Sequence, residues 1–359
     1  MKILIDIGHP AHVHYFRNFI KIMQGKGHEF CVIARNKECT IELLKNFNIP
    51  FYSRGKGSNN LIGKLLYILI ADIFIFRRAL RFRPDLFMSF TTPYPGHIAK
   101  ILNRPHVGFS DTEHAKLGLL AALPFTTTVL TPKSYFKDLG SKQIRFDSNM
   151  ELCYLHPNYF QPNENVFEVL GLSKTQKYAL IRFVSWNASH DIGHSGLDSQ
   201  TKINLVEVLS RYMKVFISSE KELPNELKRY QIKIPSERMH EVLFFASLFV
   251  GEGATMASEC AMLGTPVIYV NSLDAGTLQE QANLGLIYSF RNSTGVIKKV
   301  NDLLQILNLK EISQLCSKRF VSEKIDITAF MVWFIENYPH SVTIIKKNPD
   351  YQYGFNYLS

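Results

Sequence analysis

The sequence predicts an α/β fold made of two doubly wound parallel sheets, one in each of two domains that face a common cleft. Its 359 residues are more than the roughly 250 that one hydrophobic core usually serves, so two domains are expected. Short apolar runs alternate with amphipathic segments, and parallel strands need such crossovers. The stretch from Pro157 to Asn165, with two prolines and three asparagines, interrupts this alternation and predicts the linker.

The first half reads as a series of strand–helix units. Short apolar runs are typical of buried strands, and apolar residues every three or four positions are typical of helices. Gly25 and Gly27 end the first helix. The pattern predicts strands at Lys2 to Ile7, Phe30 to Ala34, Leu86 to Phe90, from Pro105 and at Thr127 to Leu130, and helices at Val13 to Met23, Leu61 to Phe82 and from His97.

The same alternation restarts after the linker. It predicts strands at Tyr178 to Val184, Lys214 to Ser218, Phe249 to Gly251 and Pro266 to Val270, and helices at Thr201 to Tyr212, Met239 to Phe245, Met256 to Leu263, Thr294 to Leu307 and Ile325 to Asn337. The predicted domains are therefore residues 1–160 and 161–325. A C-terminal helix and tail, 326–359, is a candidate to pack back on the first domain.

Composition excludes several classes of protein. With 46% hydrophobic and 20% charged residues, the chain has enough apolar surface to fold, which excludes disorder, collagen and coiled coil. The net charge of +10 favours anionic partners such as phosphorylated metabolites or acidic lipids. The basic residues are dispersed and no nucleic-acid motif occurs, so no nucleic-acid partner is expected.

Cysteine usage and hydropathy indicate a cytoplasmic protein. The five cysteines are scattered and show no ligand spacing, which fits a reducing compartment: Cys31, Cys39, Cys153, Cys260 and Cys316. The most apolar run, Leu65 to Phe76, contains Asp72 and is shorter than the roughly 20 residues that a membrane span needs. The N-terminus lacks the long apolar region of a cleaved signal.

The strongest motif is the segment FVGEGATMASE, residues 249–259, which is followed by LGTPVI at 263–268. It predicts a strand, a glycine turn, a helix, a tight turn and a second strand. The free N–H groups and the positive dipole end of such a helix suit a diphosphate. Glu259, about one turn into the helix, could accept hydrogen bonds from a ribose diol. The alternative is an ordinary turn with Glu259 facing solvent.

This segment resembles the donor-nucleotide signature of GT-B glycosyltransferases, especially of the N-acetylglucosaminyltransferase that completes lipid II. It is similar also to the corresponding region of the UDP-N-acetylglucosamine 2-epimerases, which share that fold. Over essentially its whole length the chain resembles the DUF354 family. The resemblance implies a GT-B fold of two Rossmann-like domains, with the acceptor on the first domain and the nucleotide sugar on the second.

The resemblance also implies roles for individual residues. Gly253, Ala254 and Thr255 would contact the nucleotide and its diphosphate, and Glu259 would hold the ribose. In such enzymes the following loop often supplies a glutamine to the donor sugar. Gln281 and Gln279 are candidates for that contact.

Three histidines follow the first strand in GHPAHVH, residues 8–14. They could suggest a metal site, but a helix is expected to begin where they end and no carboxylate or cysteine completes a ligand set, so no metal is expected. The matching loop of the lipid II enzyme is glycine-rich and ends in a histidine that aligns with His12. At a helix N-terminus, His12 could act as general base or hydrogen-bond donor, or only cap the helix.

Another polar segment, RFVSWNASHDIGH at residues 182–194, begins in a strand and continues beyond its carboxyl end. Open α/β sheets bind ligands outside such strand ends. In the epimerases this loop carries a histidine that meets the UDP phosphates, and His190 resembles that histidine, although the basic residues that follow it there are missing here. Arg182 and Ser185 are further candidates for contact with the nucleotide.

Two carboxylates and a histidine follow a first-half strand in FSDTEH, residues 109–114. Asp111 and Glu113 are candidates for acid–base chemistry or acceptor binding. Asp111 or Thr112 could instead cap the next helix, and the two roles are compatible.

The predicted helix from Leu61 to Phe82 combines a very apolar stem with Arg77, Arg78 and Arg81. Such a helix is typical either of a membrane-surface element or of a helix packed on a sheet. Because its apolar residues are not confined to one stripe, burial against the sheet is expected.

The leading functional hypothesis is a metal-independent, UDP-sugar-dependent glycosyltransferase in surface polysaccharide or glycolipid biosynthesis. The chain contains no Asp-x-Asp pair, and the only small molecule expected is the nucleotide sugar itself, as donor substrate. The acceptor would be a glycan or a lipid-linked molecule, and peripheral contact with an anionic membrane at its inner face is a further expectation. His12, Asp111 or Glu113 would deprotonate the acceptor. A UDP-N-acetylglucosamine 2-epimerase-like isomerase and a non-catalytic nucleotide-sugar binding protein remain open.

Overall fold

Two compact units make up the chain. The computed structural model describes residues 1–58, 61–113, 116–184, 196–273 and 275–356, with all side chains there except those of Leu61, Ile62, Leu65 and Lys116. The first unit is Met1–Tyr159 with Lys324–Ser359, and the second is Phe160–Glu323. Each unit contains one sheet, and every strand pairing within the two sheets is parallel. The predicted class, two doubly wound parallel sheets, is confirmed.

The first unit is built on seven strands, β1 Lys2–Ile7, β2 Glu29–Ala34, β3 Phe51–Ser53, β4 Leu86–Phe90, β5 His106–Phe109, β6 Thr128–Pro132 and β7 Gln143–Phe146. They pair in the order β3-β2-β1-β4-β5-β6-β7. The connecting helices are α1 Pro10–Gly25, α2 Thr40–Asn46, α3 Leu61–Phe82, α4 Pro93–Ile101, α5 Lys116–Ala122 and α6 Leu152–Leu155. Strands β4, β5 and β6 are buried along their whole length, because helices cover both faces of a parallel sheet.

The second unit contains β8 Tyr178–Phe183, β9 Lys214–Ser219, β10 Leu248–Gly251, β11 Val267–Val270 and β12 Tyr288–Phe290. Its strand order is β12-β11-β10-β8-β9. The helices are α7 Val166–Val169, α8 Ser199–Ser210, α9 Met239–Phe245, α10 Ala254–Met262, α11 Gly276–Asn283, α12 Val296–Leu304 and α13 Leu309–Ser322. Of these elements, α7, α11, β12 and α13 are not predicted from the sequence.

The residue that follows the end of α10 must be a glycine, because its backbone conformation is left-handed and a side chain there would collide with α13. Gly264 has φ +70°, and a Cβ there would lie 2.7 Å from the Cα of Gln314. Glycine adopts this left-handed conformation without penalty and is common just after a helix. The turn therefore brings α13 into close contact with the end of α10.

The C-terminal segment belongs to the first unit. It forms α14 Ile327–Glu336 and α15 His340–Lys347. Asp326 caps α14 by accepting from the Ala329 N–H at 2.9 Å, and the Thr328 hydroxyl donates to the carbonyl of Cys153 at 3.0 Å. At the other end, Glu336 pairs with Lys26 at 2.6 Å. These contacts fasten α14 to α1 and α6.

Helix α3 matches its predicted bounds but not its predicted burial. Leu66, Leu69, Ile70 and Ile73 are each more than half exposed, so a large part of the apolar surface faces away from the sheet. Among the residues that the structure describes, no helix is long and apolar enough to cross a membrane.

A neutral histidine lies in the core of the first unit. His106, on β5, is fully buried, and its Nε2 lies 2.9 Å from the Ser89 hydroxyl. Its Nδ1 lies 3.2 Å from the Thr126 hydroxyl, which donates its own proton to the Ala122 carbonyl. Nδ1 therefore carries the proton and Nε2 accepts from Ser89. Burial, helped by the nearby His97, lowers the pKa of His106 to about 3.

The His106 environment predicts a loss of stability in acid. The unfolded chain binds a proton at this histidine below about pH 6.5, whereas the folded chain stays neutral until about pH 3. Stability is therefore complete above pH 6.5 and falls as the pH drops towards 3. Between pH 7.5 and pH 4.5 this site should cost about 3 kcal/mol of unfolding free energy.

Urea denaturation at several pH values measures this effect. The variant His106→Gln should be less stable at pH 7.5 but should lose less stability on acidification. His340→Gln, at an exposed position, is the matched control and should follow the wild-type pH dependence. A His106→Gln curve parallel to wild type would contradict the assignment.

Candidate active site

The strand order defines where ligands should bind in each unit. In the first sheet the strand order reverses between β1 and β4, since successive strands are added on one side of β1 and then on the other, and in the second sheet it reverses between β10 and β8. A doubly wound sheet opens a crevice at this switch point, outside the carboxyl ends of the strands. The predicted site residues that the structure describes lie at or near these two places.

In the first unit, His12 lies in the opening turn of α1, beside the switch point. Its Nδ1 accepts from the Gly8 N–H at 3.3 Å, and its ring centroid lies 4.7 Å from that of Phe90, the last residue of β4. Burial, followed by the nearby positive charges of His9, Lys37 and Arg54, lowers the pKa of His12 well below its usual value. The imidazole is therefore neutral, and the bond at Nδ1 leaves the proton on Nε2. This geometry favours a hydrogen-bond donor over a base.

Asp111, just after β5, belongs to the same cluster. The Tyr15 hydroxyl donates to Asp111 Oδ2 at 3.3 Å, and the Tyr15 ring stacks on His12 with centroids 6.2 Å apart. The Thr112 hydroxyl donates to Oδ1 at 2.8 Å. Burial raises the pKa of Asp111, and the two hydroxyl bonds only partly offset that rise. A partly exposed carboxylate with a raised pKa suits a general base.

Glu113 occupies a different environment from Asp111. Its side chain is buried, and Oε1 accepts from the Phe136 N–H at 3.3 Å. Lys137 donates to the backbone carbonyl of Glu113. These bonds fasten the turn after β5 to the loop after β6, so the geometry gives Glu113 a role in positioning and makes Asp111 the better candidate for acid–base chemistry.

A buried ion pair that the sequence analysis does not anticipate lies under this cluster. Arg54, just after β3, donates through Nε to Asp6 Oδ1 at 2.8 Å and through a terminal nitrogen to Oδ2 at 3.1 Å. The Thr92 hydroxyl adds a third bond to Asp6 at 3.1 Å. A Cβ at Gly8 would lie 3.9 Å from the Arg54 guanidinium and 3.8 Å from the His12 ring. The pair therefore fixes the carboxyl ends of β1, β3 and β4 beneath the His12 turn.

In the second unit, the predicted glycine turn lies at the switch point between β10 and β8. Gly253 is the N-cap of α10 and has no side chain that could accept from the first-turn amides. A Cβ at Gly253 would make ordinary contacts at 3.5 Å, whereas one at Gly251 would lie 2.6 Å from the Phe249 ring. Gly251 is thus needed for packing, while Ala254 and Thr255 begin a partly exposed helix end.

Glu259 is buried behind this turn. Its Oε1 lies 3.0 Å from Nε2 of His240, which is itself buried on α9. The solvent-facing alternative for Glu259 is therefore wrong. Beside it on α10, Ser258 accepts from Gln281 Nε2 at 2.8 Å, and Gln281 is fully buried, while Gln279 is exposed. Side chains from α9 and α11 thus support α10 from both sides.

The remaining predicted contacts with the nucleotide are Arg182, Ser185 and His190. The stem of Arg182 packs against Gly251 and Gly253, but its guanidinium donates to Ser218 and to Glu220, each at 2.8 Å. Ser185 and His190 lie outside the described residues. Within the described part of the chain, no group of three histidine, cysteine or acidic side chains is placed to hold a metal ion.

Glu252, between the two glycines, is a residue that motif reasoning overlooks. It is fully buried, and its carboxylate accepts from the Val184 N–H at 3.0 Å and from the Leu197 N–H at 2.8 Å. Lys202 lies 3.4 Å away. Glu252 therefore holds the end of β8 and the approach to α8 together, next to the Gly253 turn. A carboxylate between two glycines after a buried strand is the sequence signal for it.

The two doubly wound parallel sheets define an α/β protein of the GT-B fold, and the candidate site residues that the structure describes lie at or near their switch points. The chain belongs to the family described as "Protein of unknown function (DUF354)", whose sequence profile matches residues 1–340. It is 23% identical over 280 residues to the uncharacterized protein MJ0665 of Methanocaldococcus jannaschii. This alignment covers 75% of this chain and 81% of that protein.

Solved structures of the same fold include enzymes of two kinds. The UDP-GlcNAc 2-epimerase of Neisseria meningitidis, bound to UDP-GlcNAc, matches with a TM-score of 0.64 at 11% identity, over 90% of this chain and 99% of that one. MurG of Acinetobacter baumannii matches with a TM-score of 0.59 at 15% identity, over 93% and 99%. The glycosyltransferase SsfS6 of Streptomyces sp. SF2575 matches with a TM-score of 0.59 at 14% identity, over 94% and 100%. These similarities establish the fold.

The buried pair of Asp6 and Arg54 predicts a specific mutational pattern. Arg54→Met leaves a carboxylate buried without its counter-charge and should cost about 3–5 kcal/mol of unfolding free energy. The double variant Asp6→Leu with Arg54→Met removes both charges and should recover most of that loss. Chemical denaturation measures both values. A double variant as unstable as the single one would show that the buried charge is not the cause.

Proposed function

We propose that the protein is a nucleotide-sugar-dependent glycosyltransferase that uses a UDP-linked donor and transfers the sugar to a glycan or a lipid-linked acceptor. The observation that carries the proposal is the N-terminus of α10, which opens at the switch point of the second sheet with a glycine as its N-cap. The amides of such a helix end have no intrahelical acceptors. The oxygens of a diphosphate would accept hydrogen bonds from these amides, and their negative charge would interact favourably with the helix dipole.

Glu259 supports the same assignment. Its carboxylate lies in the second turn of α10, and His240 holds it in place at 3.0 Å. A carboxylate fixed in this way is preorganised to accept hydrogen bonds from a ribose diol. The proposal therefore places the donor nucleotide on the second domain, with Gly253, Ala254 and Thr255 at the diphosphate and Glu259 at the ribose. Gln281 would act by positioning α10 through Ser258.

The first domain would bind the acceptor and supply the base. The acceptor hydroxyl would give its proton to the Asp111 carboxylate as its oxygen attacks the anomeric carbon of the donor. The bond from that carbon to the diphosphate oxygen would break, and UDP would leave with the electron pair. His12, with its proton on Nε2, would donate a hydrogen bond within the same site. The proposal needs no cofactor besides the nucleotide sugar.

An epimerase-like isomerase is the second candidate, favoured by the raised pKa of Asp111, which also suits removal of a proton from a sugar carbon. An isomerase converts a UDP-sugar without any second substrate. Incubation of the protein with UDP-N-acetylglucosamine alone, followed by proton NMR, separates the two candidates. A new sugar epimer in the absence of acceptor would replace the transferase proposal.

The donor site can be tested by thermal shift with UDP, GDP, CMP and dTDP and their sugars. One nucleotide, expected to be UDP, should raise the melting temperature by about 5–10 °C at 100 times its Kd. Glu259→Gln should abolish most of this shift while keeping a polar contact for His240. Glu207→Gln, at an exposed position on α8, is the matched control. A shift that is unchanged in Glu259→Gln would exclude this residue from the donor site.

The catalytic assignment predicts a separation of binding from turnover. Asp111→Asn should lower kcat for sugar transfer by about 100-fold to 10,000-fold and leave the UDP-induced thermal shift intact. Glu113→Gln should mainly lower the melting temperature. Equal activity of Asp111→Asn and wild type would move the base to another residue. Release of UDP from UDP-sugar donors in the presence of candidate acceptors is the measurement.

A further inference from the structure

The outer face of α3 carries several large aliphatic side chains. Leu66, Leu69, Ile70 and Ile73 are exposed by 56%, 61%, 59% and 53%, and their spacing places them in one stripe along the helix. The buried positions on the opposite side are Tyr67, Ala71, Ile75 and Ala79. Four large aliphatic side chains thus form a continuous surface that the fold does not cover.

Neighbouring helices extend this surface. Helix α3 packs on α4, and α4 packs on α5. Leu117 and Leu120 of α5 are exposed by 79% and 66%, and Ile101 at the end of α4 by 66%. Exposed large apolar side chains grouped on three packed helices are unusual on a monomeric protein and mark a site of interaction.

Positive charge borders the apolar stripe. Arg77 and Arg81 continue the same face of α3 one and two turns further on, and both are exposed, as are Lys100 and Arg104 at the end of α4. The one acidic residue within α3, Asp72, is paired with His97 at 2.9 Å. The surface therefore combines an apolar patch with exposed cations.

The connectivity places the patch near the candidate site. Helices α3 and α5 begin just after the carboxyl ends of β3 and β5, which is the edge of the sheet that carries His12 and Asp111. The N-terminal half of α3, with Leu66 and Leu69, and the first turn of α5, with Leu117, therefore lie towards that edge. The arginines lie further from it.

We infer that the docking face, formed by Leu66, Leu69, Ile70, Ile73, Leu117 and Leu120 with Arg77 and Arg81, binds the surface of an anionic lipid bilayer. The aliphatic side chains would enter the interface between head groups and acyl chains, and the arginines would pair with lipid phosphates. This charge pattern favours an anionic bilayer over a second copy of the chain, since two copies would bring like charges together. The inference adds a binding surface to the proposed function and does not depend on its transfer chemistry.

Vesicle co-sedimentation of the purified full chain tests the inference. Vesicles of phosphatidylcholine alone are compared with vesicles that also contain phosphatidylglycerol. Wild type should prefer the anionic vesicles, and added salt should weaken that preference. Leu69→Ser with Ile73→Ser should weaken binding by about tenfold or more. Arg77→Gln with Arg81→Gln should lower the ratio of binding to anionic over neutral vesicles by about tenfold.

A matched control comes from the second domain, where Leu307 and Leu315 are exposed by 99% and 68%. Leu307→Ser with Leu315→Ser should bind vesicles like wild type. Because all substituted side chains are exposed, melting temperatures should stay close to wild type, and the thermal shift with UDP should be unchanged. Equal vesicle binding by wild type and the Leu69/Ile73 variant would overturn the inference. So would an absence of binding to either vesicle, or concentration-dependent dimers in sedimentation velocity that the same variant abolishes.

Discussion

Parallel strand pairing is the constraint on which the rest of this molecule depends. When neighbouring strands run in the same direction, their carboxyl ends meet at one edge of the sheet, and a crevice opens there at the point where the strand order reverses. This is why His12 and Asp111, 99 positions apart in the sequence, share Tyr15 as a common neighbour. The same rule brings the Gly253 turn next to the end of β8 in the second unit.

Loops at such an edge cannot be stabilised by apolar burial alone, and in this protein buried carboxylates hold them. Asp6 binds Arg54 and Thr92 across three strand ends, and Glu252 accepts from the backbone N–H groups of Val184 and Leu197. A buried charge is costly unless it is paired and hydrogen-bonded. Full satisfaction of both carboxylates therefore leaves the neighbouring turns with little freedom, which suits sites that must present hydrogen-bond groups in a fixed geometry.

The sequence predicts the parts of the fold that depend on local pattern. The central strands are apolar on both faces, and α1, α3, α9 and α10 lie within a few residues of their predicted bounds, because hydrophobic periodicity is strongest there. The pattern does not predict the edge strands β3, β7 and β12, because each has only three or four residues and is partly exposed. The candidate site is only partly predictable, because its contacts join residues that are far apart in the sequence. Glu259 could be singled out from its motif, but its partner His240 comes from another helix, and no spacing rule connects Asp6 to Arg54.

Helix α3 shows how the same sequence pattern can mislead about burial. Its apolar residues surround the helix, so periodicity alone does not indicate an outer face and predicts burial instead. The inward residues include Ala71 and Ala79, whose small side chains allow the helix to lie close to the sheet. The larger leucines and isoleucines are then left on the outside, next to arginines and towards the edge that carries Asp111. The proposed base, Asp111, and the proposed lipid-binding surface thus lie towards the same edge of the first sheet, which is the arrangement that a lipid-linked acceptor would require.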